Sequence, residues 1–153
     1  MNRRTLLGLT VALILPAAAW ARAGKEDAQA MVKKAIEFYR KKGRDAALQE
    51  FARADGPFID RDLYIIVHAM DGTCLAHVNP PIRGRNMWEE RDLDGKYFTR
   101  ERLEAAKSDV NGWQEYKYFN PESRKVELKR TYWEKHDSLI FACGAYRSLL
   151  SSM

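Results

Sequence analysis

The chain has 153 residues, with 26 Lys and Arg against 21 Asp and Glu, a formal charge of +5. That length fits one domain. Three of the basic residues (Arg3, Arg4 and Arg22) lie in the first 23 positions, so beyond them the balance is 23 to 21, which excludes the strongly basic face that a nucleic-acid partner needs.

The first residues have the layout of an export signal. Asn2-Arg3-Arg4 is a positive end, Thr5 to Trp20 an apolar stretch, and Ala21-Arg22-Ala23 a small-x-small cleavage site. Residues 1–23 therefore read as a leader cut between Ala23 and Gly24, with the periplasm as destination and 24–153 as the mature domain. The apolar run is shorter than the roughly 20 residues that span a membrane and holds Pro16. This favours cleavage over the alternative, an uncleaved inner-membrane anchor. Paired arginines before Thr5-Leu6-Leu7 leave general and twin-arginine export both open.

Ala28, Met31, Val32, Ala35, Ile36 and Tyr39 fall on one helical stripe, and Gly43 stops the run. The spacing predicts an amphipathic helix over 25–42, then a shorter one over 46–54, ended by Gly56-Pro57. Leu63 to Ala69 and Cys74 to Val78 are β-branched and apolar, and Asp71-Gly72 between them suits a tight hairpin turn. The second strand opens at His77 into the loop Asn79-Pro80-Pro81-Ile82-Arg83-Gly84-Arg85-Asn86. Thr99 is placed to cap a helix over 100–107. Three strands follow, over 113–119, 126–135 and 139–146, separated by Asn120-Pro121-Glu122-Ser123 and His136-Asp137-Ser138. Helices followed by five turn-punctuated strands argue for an α+β fold. Seven residues follow Tyr146, too few for a second span or an output domain, so a signal is expected to pass through a separate protein.

The hairpin with its Asp-Gly turn and Leu-Ala-His end, then Asn-Pro-Pro-Ile-Arg-Gly-Arg-Asn, Asp-Gly-Lys (94–96), Gly-Trp-Gln-Glu-Tyr (112–116) and Cys-Gly-Ala-Tyr (143–146), resembles a single Cache domain of the second type. This is the extracytoplasmic small-molecule sensor module of bacterial receptors. The resemblance spans about 28–146. It implies a PAS-like sheet of five antiparallel strands with a long N-terminal helix and short helices on one face, and a small-ligand pocket on one face of that sheet. The implied sheet order puts the first strand between those bearing Cys74 and Cys143. Two strand spacings come to about 9.5 Å, beyond the roughly 7 Å that a disulfide bridges between Cα atoms, so both are expected as small buried thiols.

Carried over position by position, the resemblance nominates Tyr64, His77, Trp113, Tyr116, Lys129, Tyr132 and Tyr146 as ligand-binding residues, with Arg83 at a more variable place. Cations for a carboxylate, hydroxyls to orient it and aromatic walls to exclude water suit a small organic anion. Strand alternation raises a difficulty. Lys129 and Tyr132 are three apart, as are Trp113 and Tyr116, so each pair faces opposite ways unless a bulge re-aims one member. About half of these residues are expected to touch ligand, the rest serving as core or surface packing.

No other chemistry is indicated. Asp92-Leu93-Asp94-Gly95 starts like a calcium loop but lacks the later ligands and the closing Glu, and reads as a turn. The three histidines (His68, His77 and His136) have no carboxylate at metal-ligand spacing. There is no Gly-x-Ser-x-Gly and no Cys-x-x-Cys-His, so neither an enzyme nor a cofactor is expected. Two functions remain: an exported sensor that binds a two- or three-carbon carboxylate and signals through a membrane receptor or transporter, or a fold that has lost ligand binding and docks a membrane partner. They differ in whether Lys129, Tyr132 and His77 converge on one enclosed cavity.

Overall fold

The computed structural model describes residues 22–149; the apolar part of the expected leader lies outside them. Helix α1 (Lys25–Lys42) buries the predicted stripe Ala28, Met31, Val32, Ala35, Ile36 and Tyr39. Asp27 accepts the Gly24 N–H at 2.9 Å, and Arg40, Lys41 and Lys42 fill the last turn, charges that suit the two ends of the helix dipole. Gly43 alone separates α1 from α2 (Arg44–Phe51). Its φ of +84° ends the first helix, and the Gly43 carbonyl accepts the Ala47 N–H at 3.1 Å to begin the second. Helix α2 begins two residues earlier and ends three earlier than the sequence suggested.

The run 63–69 is not one strand. Leu63–Tyr64 (β2) pairs with Ile59–Asp60 (β1) in a small separate ladder, and β3 (Ile66–Ala69) enters the main sheet. The predicted turn closes with Gly72 N–H on the Ala69 carbonyl at 3.0 Å. Its φ of +97° is open to glycine, while a Cβ there would come within 2.9 Å of the Asn86 side chain. Strand β4 (Cys74–Ala76) follows, then a 3-10 turn at Pro80–Ile82, α3 (Phe98–Ala105), β5 (Asn111–Asn120), β6 (Lys125–His136) and β7 (Leu139–Arg147). The sheet is antiparallel, ordered β4-β3-β7-β6-β5. It is the expected PAS-like α+β architecture. Cys74 and Cys143 are free and buried, with β3 between their strands.

Period-two alternation gives the sheet two different faces. Leu63, Ile65, Val67, Phe141, Cys143 and Ala145 pack under α1 and α2, joined by Phe51 and Phe58. Tyr64, Ile66, Ile140, Ala142, Trp133 and Tyr146 face the other way, toward Ile82, Met87 and Leu103. The loop 77–97 also covers both outer edges of the sheet. Beside β4, Cys74 N–H donates to the Arg85 carbonyl and Gly84 N–H to the Cys74 carbonyl, both at 2.8 Å. Beside β5, the Asp92 carboxylate takes the Lys117 N–H at 3.0 Å and the Lys96 ammonium donates to the Glu115 carbonyl at 2.8 Å. Asp92 also accepts the Asp94 and Lys96 N–H groups at 2.9 Å, so its carboxylate is occupied as a turn residue.

Candidate ligand-binding site

On the face turned away from α1, two fully buried cations lie without a carboxylate partner among the described residues. Lys129 is 0 % and Arg102 2 % exposed, and neither forms an ion pair. Lys129 Nζ donates to the Tyr64 hydroxyl at 2.9 Å and lies 4.0, 4.9 and 5.5 Å from the ring centres of Tyr64, Tyr146 and Tyr118. The Tyr146 hydroxyl gives its proton to the Phe119 carbonyl, and the Tyr64 and Tyr146 oxygens are 2.9 Å apart. The chain of donation therefore runs Lys129 to Tyr64 to Tyr146 to Phe119. It neutralises no charge: electron-rich rings and dipoles attract an ammonium less than an anion does.

Lys129 reaches Tyr64 by crossing β7 at Gly144. A Cβ at Gly144 would lie 2.4 Å from Thr131 Oγ1 and 2.6 Å from Lys129 Cε. Gly144→Ala should therefore destabilise the fold by about 1–3 kcal/mol and displace Lys129. Urea denaturation checks the first part, and ligand titration of the variant checks the second.

Arg102 projects from α3. It donates through Nε to Gln114 at 3.2 Å and through Nη2 to the Tyr116 hydroxyl at 3.1 Å, while buried Nη1 has no partner. Tyr116 stacks on Phe98 at 4.4 Å and also accepts from Thr131 at 3.3 Å. Burial disfavours phenolate at Tyr116, but Arg102 and Lys129 outweigh it and draw this phenol below its ordinary range. Around the same place three more buried polar atoms lack partners: His77 Nε2, His68 Nδ1 and Thr99 Oγ1. His77 Nδ1 accepts the Asn79 N–H at 2.9 Å, so the neutral ring carries its proton on Nε2, as a donor. Burial, then Lys129 and Arg83, push His77 down to about 3, and burial followed by Arg102 holds His68 well below its usual value.

These shifts have a stability consequence. The unfolded histidines take up protons near pH 6.5 while the folded ones refuse them, so stability is full above about pH 6.5 and falls as pH drops toward 3. His77 contributes up to about 1.4 kcal/mol per pH unit in that window, and His68 adds to the slope in the same direction. Thermal midpoints measured from pH 7.5 to 4 should fall, and the slope should lessen in His68→Asn. An equal slope would show that other groups govern the acid limb.

His77, His68, Thr99, Arg102, Tyr116 and Tyr118 wall a narrow space of about 10 Å³, room for about one water. A cleft of about 410 Å³ lies against it, lined by Tyr64, Val78, Pro80, Phe119 and Pro121, and the two share His77, Ile82 and Tyr118 as a common wall. The wall is what a ligand entering from the cleft must move.

Of the sequence candidates, Tyr64, His77, Tyr116, Lys129 and Tyr146 come together on this face. Trp113 and Tyr132 do not: β6 runs without a bulge from Lys129 to Tyr132, so alternation turns Tyr132 to the α1 side. There it donates to Glu134 at 2.8 Å and meets Trp113 at 5.2 Å. Lys129, Tyr132 and His77, whose convergence was to separate the two readings, therefore do not meet in one cavity: Tyr132 lies across the sheet in the core under α1. Arg83 is exposed beyond the 3-10 turn. Thr99, expected to cap α3, lies inside that helix, fully buried. Arg102, His68 and Tyr118 were not anticipated. The signal for Arg102 was available, since it falls on the buried stripe of α3 with Phe98, Thr99 and Leu103, where an unpaired charge is expensive.

Comparison with known proteins agrees with this architecture. The chain matches the family Single Cache domain 2 over residues 4–141. Among solved structures it is similar to a methyl-accepting chemotaxis protein from Vibrio parahaemolyticus, with 16 % identity and a TM-score of 0.69 over 80 % of this chain and 87 % of the other. A Cache chemosensory domain described for carboxylic acid recognition matches at 18 % identity and a TM-score of 0.61, over 79 % and 86 % of the two chains. The periplasmic sensor domain of a chemotaxis protein matches at 20 % identity and 0.59, over 79 % and 88 %. Among curated proteins, none matches this chain in sequence. No helix among the described residues is long and apolar enough to cross a membrane. With its match over most of its length and its PAS-like sheet, this chain belongs to the single Cache domain 2 family of sensor domains.

Proposed function

We propose that this chain is an exported sensor that binds a small organic anion through its carboxylate on the β-sheet face opposite α1 and reports the bound state to a membrane receptor or transporter. The observation that carries the reading is the pair of buried cations, Lys129 and Arg102, left without carboxylate partners beside three further unpaired polar atoms. A buried charge without a counterion is costly, and an anionic ligand supplies the missing partner. Arg102 Nη1, His77 Nε2 and the Thr99 hydroxyl are available to donate to carboxylate oxygens. Lys129 adds attraction from the side of Tyr116. Entry from the cleft requires the shared wall of His77, Ile82 and Tyr118 to yield, because the inner space of about 10 Å³ is too small for a carboxylate.

The other reading, a fold that no longer binds ligand and works by docking a partner, draws on the small size of that inner space, about 10 Å³, and on Tyr132 lying across the sheet from Lys129 and His77. A thermal-shift screen of the full chain against small carboxylates and amino acids, followed by calorimetric titration, separates the two. Binding of a carboxylate that is lost at least tenfold in Arg102→Gln supports the sensor. A screen without a hit, or a hit indifferent to Arg102, overturns it.

A further inference from the structure

A second polar cluster, opposite in charge to the first, lies near the start of β6, two residues from Lys129. Arg22, just ahead of α1, forks onto Glu127, with Nη1 donating to Oε2 at 2.9 Å and Nη2 to Oε1 at 3.1 Å. Two parallel bonds of this kind are the mark of a planar guanidinium, and an ammonium cannot make them. The acceptor is built into the fold: Glu127, Asn120 and Asp62 are 3 %, 1 % and 4 % exposed. The Asn120 amide donates to Glu127 Oε2 at 2.9 Å and to Asp62 Oδ2 at 3.4 Å, while Asp62 Oδ1 is buried with no partner. Burial pushes Asp62 above the usual carboxylate range, and Arg22 is the cation that acts on both acids. Half of the Arg22 side chain is exposed, against 4 % of Glu127. It reaches in from a cleft of about 380 Å³ lined by Arg22, Ala23, Gly24, Leu128 and Tyr146 among others.

We propose that Glu127, with Asn120 and Asp62 behind it, is a guanidinium-binding site whose resident occupant is Arg22, and that loss of Arg22 opens it to an arginine side chain of another polypeptide. A cut between Ala23 and Gly24 would bring about that loss. It would also remove Ala23, 4 % exposed within the core, so the vacated place matches an arginine followed by a small residue. The new amino terminus does not fill it, because the Gly24 nitrogen already has the Asp27 carboxylate at 2.9 Å. The site neighbours the anion chamber: Glu127 and Lys129 are two residues apart on β6, Tyr146 also lines the Arg22 cleft, and Phe119, which accepts from Tyr146, precedes Asn120, which serves the guanidinium site.

The test uses the full chain, its Arg22→Ala variant and two probes, Nα-acetylarginine amide and Nα-acetyllysine amide. Arg22→Ala should lower the thermal midpoint by a few degrees. The arginine probe, at millimolar concentration, should restore part of that loss and move the Asn120 side-chain amide resonance back toward its wild-type position. The lysine probe should do less, wild type should ignore both, and Glu127→Gln added to Arg22→Ala should abolish the response. If the arginine probe shifts wild type and variant alike, or leaves the variant unmoved, the proposal fails. Arg22→Lys guards against a variant that does not fold: it keeps the charge without the fork, and a wild-type midpoint with no response to the arginine probe would equally overturn the proposal.

Discussion

Lys129→Met should weaken binding of a small carboxylate about ten- to a hundredfold while leaving the ligand-free protein at least as stable as wild type. The binding loss is that of one charge-assisted hydrogen bond in a dry site, about 1.5–3 kcal/mol. The stability expectation rests on what surrounds the ammonium. It has one phenol oxygen and three ring faces but no anion. Methionine fills nearly the same volume with no charge to desolvate, and buried ionic groups replaced by apolar ones are often neutral or stabilising. Tyr64 keeps its contact with Tyr146, so no polar group is orphaned in exchange. Lys129→Arg should recover part of the affinity, limited by the different shape of its fork. Titration calorimetry and urea denaturation on the same preparations decide the matter. Unchanged affinity would place the anion at Arg102 alone, and a clear loss of stability would make Lys129 a structural residue.

Phe51→Ala should produce the opposite pattern, a loss of about 3–5 kcal/mol in stability with the affinity of the folded protein unaltered. Phe51 is fully buried at the end of α2. Its ring meets Phe58 edge-on at 4.7 Å, and Phe38 and Phe141 each at 6.2 Å. All of this lies under the helices, with the sheet between it and Lys129. Equilibrium unfolding measures the first quantity, and titration well below the variant's midpoint measures the second. An affinity that falls with stability would show that the two faces are coupled.

These two positions also mark what the sequence could and could not disclose. The face of α1 was legible because apolar residues recur at helical spacing. The hairpins were legible because Asp71-Gly72, Asn120-Pro121 and Asp137-Ser138 suit tight turns, and the last pair indeed has positive φ at both residues. The small β1–β2 ladder was not legible, because it forms around the left-handed turn at Arg61 (φ 55°), a residue with no special preference for that conformation. Within the candidate site, alternation along β6 already separated Lys129 from Tyr132, and the structure follows that argument. Arg102 and His68 become visible once the loop and α3 fold over the sheet, since their importance lies in what they lack as partners.

The segment between β4 and α3 has a consequence for how the protein behaves at high concentration. Open rims of a β-sheet are templates for stacking against other chains, and natural proteins blunt them with charge or cover. Here one stretch of chain blunts both, with its backbone at Arg85 and Gly84 on one rim and with Asp92 and Lys96 on the other. The Ile82 turn lies just ahead of these anchor points, outside the stretch that joins the two rims. Shortening the segment would therefore bring cross-molecule strand pairing, and loss of solubility, before it brought unfolding.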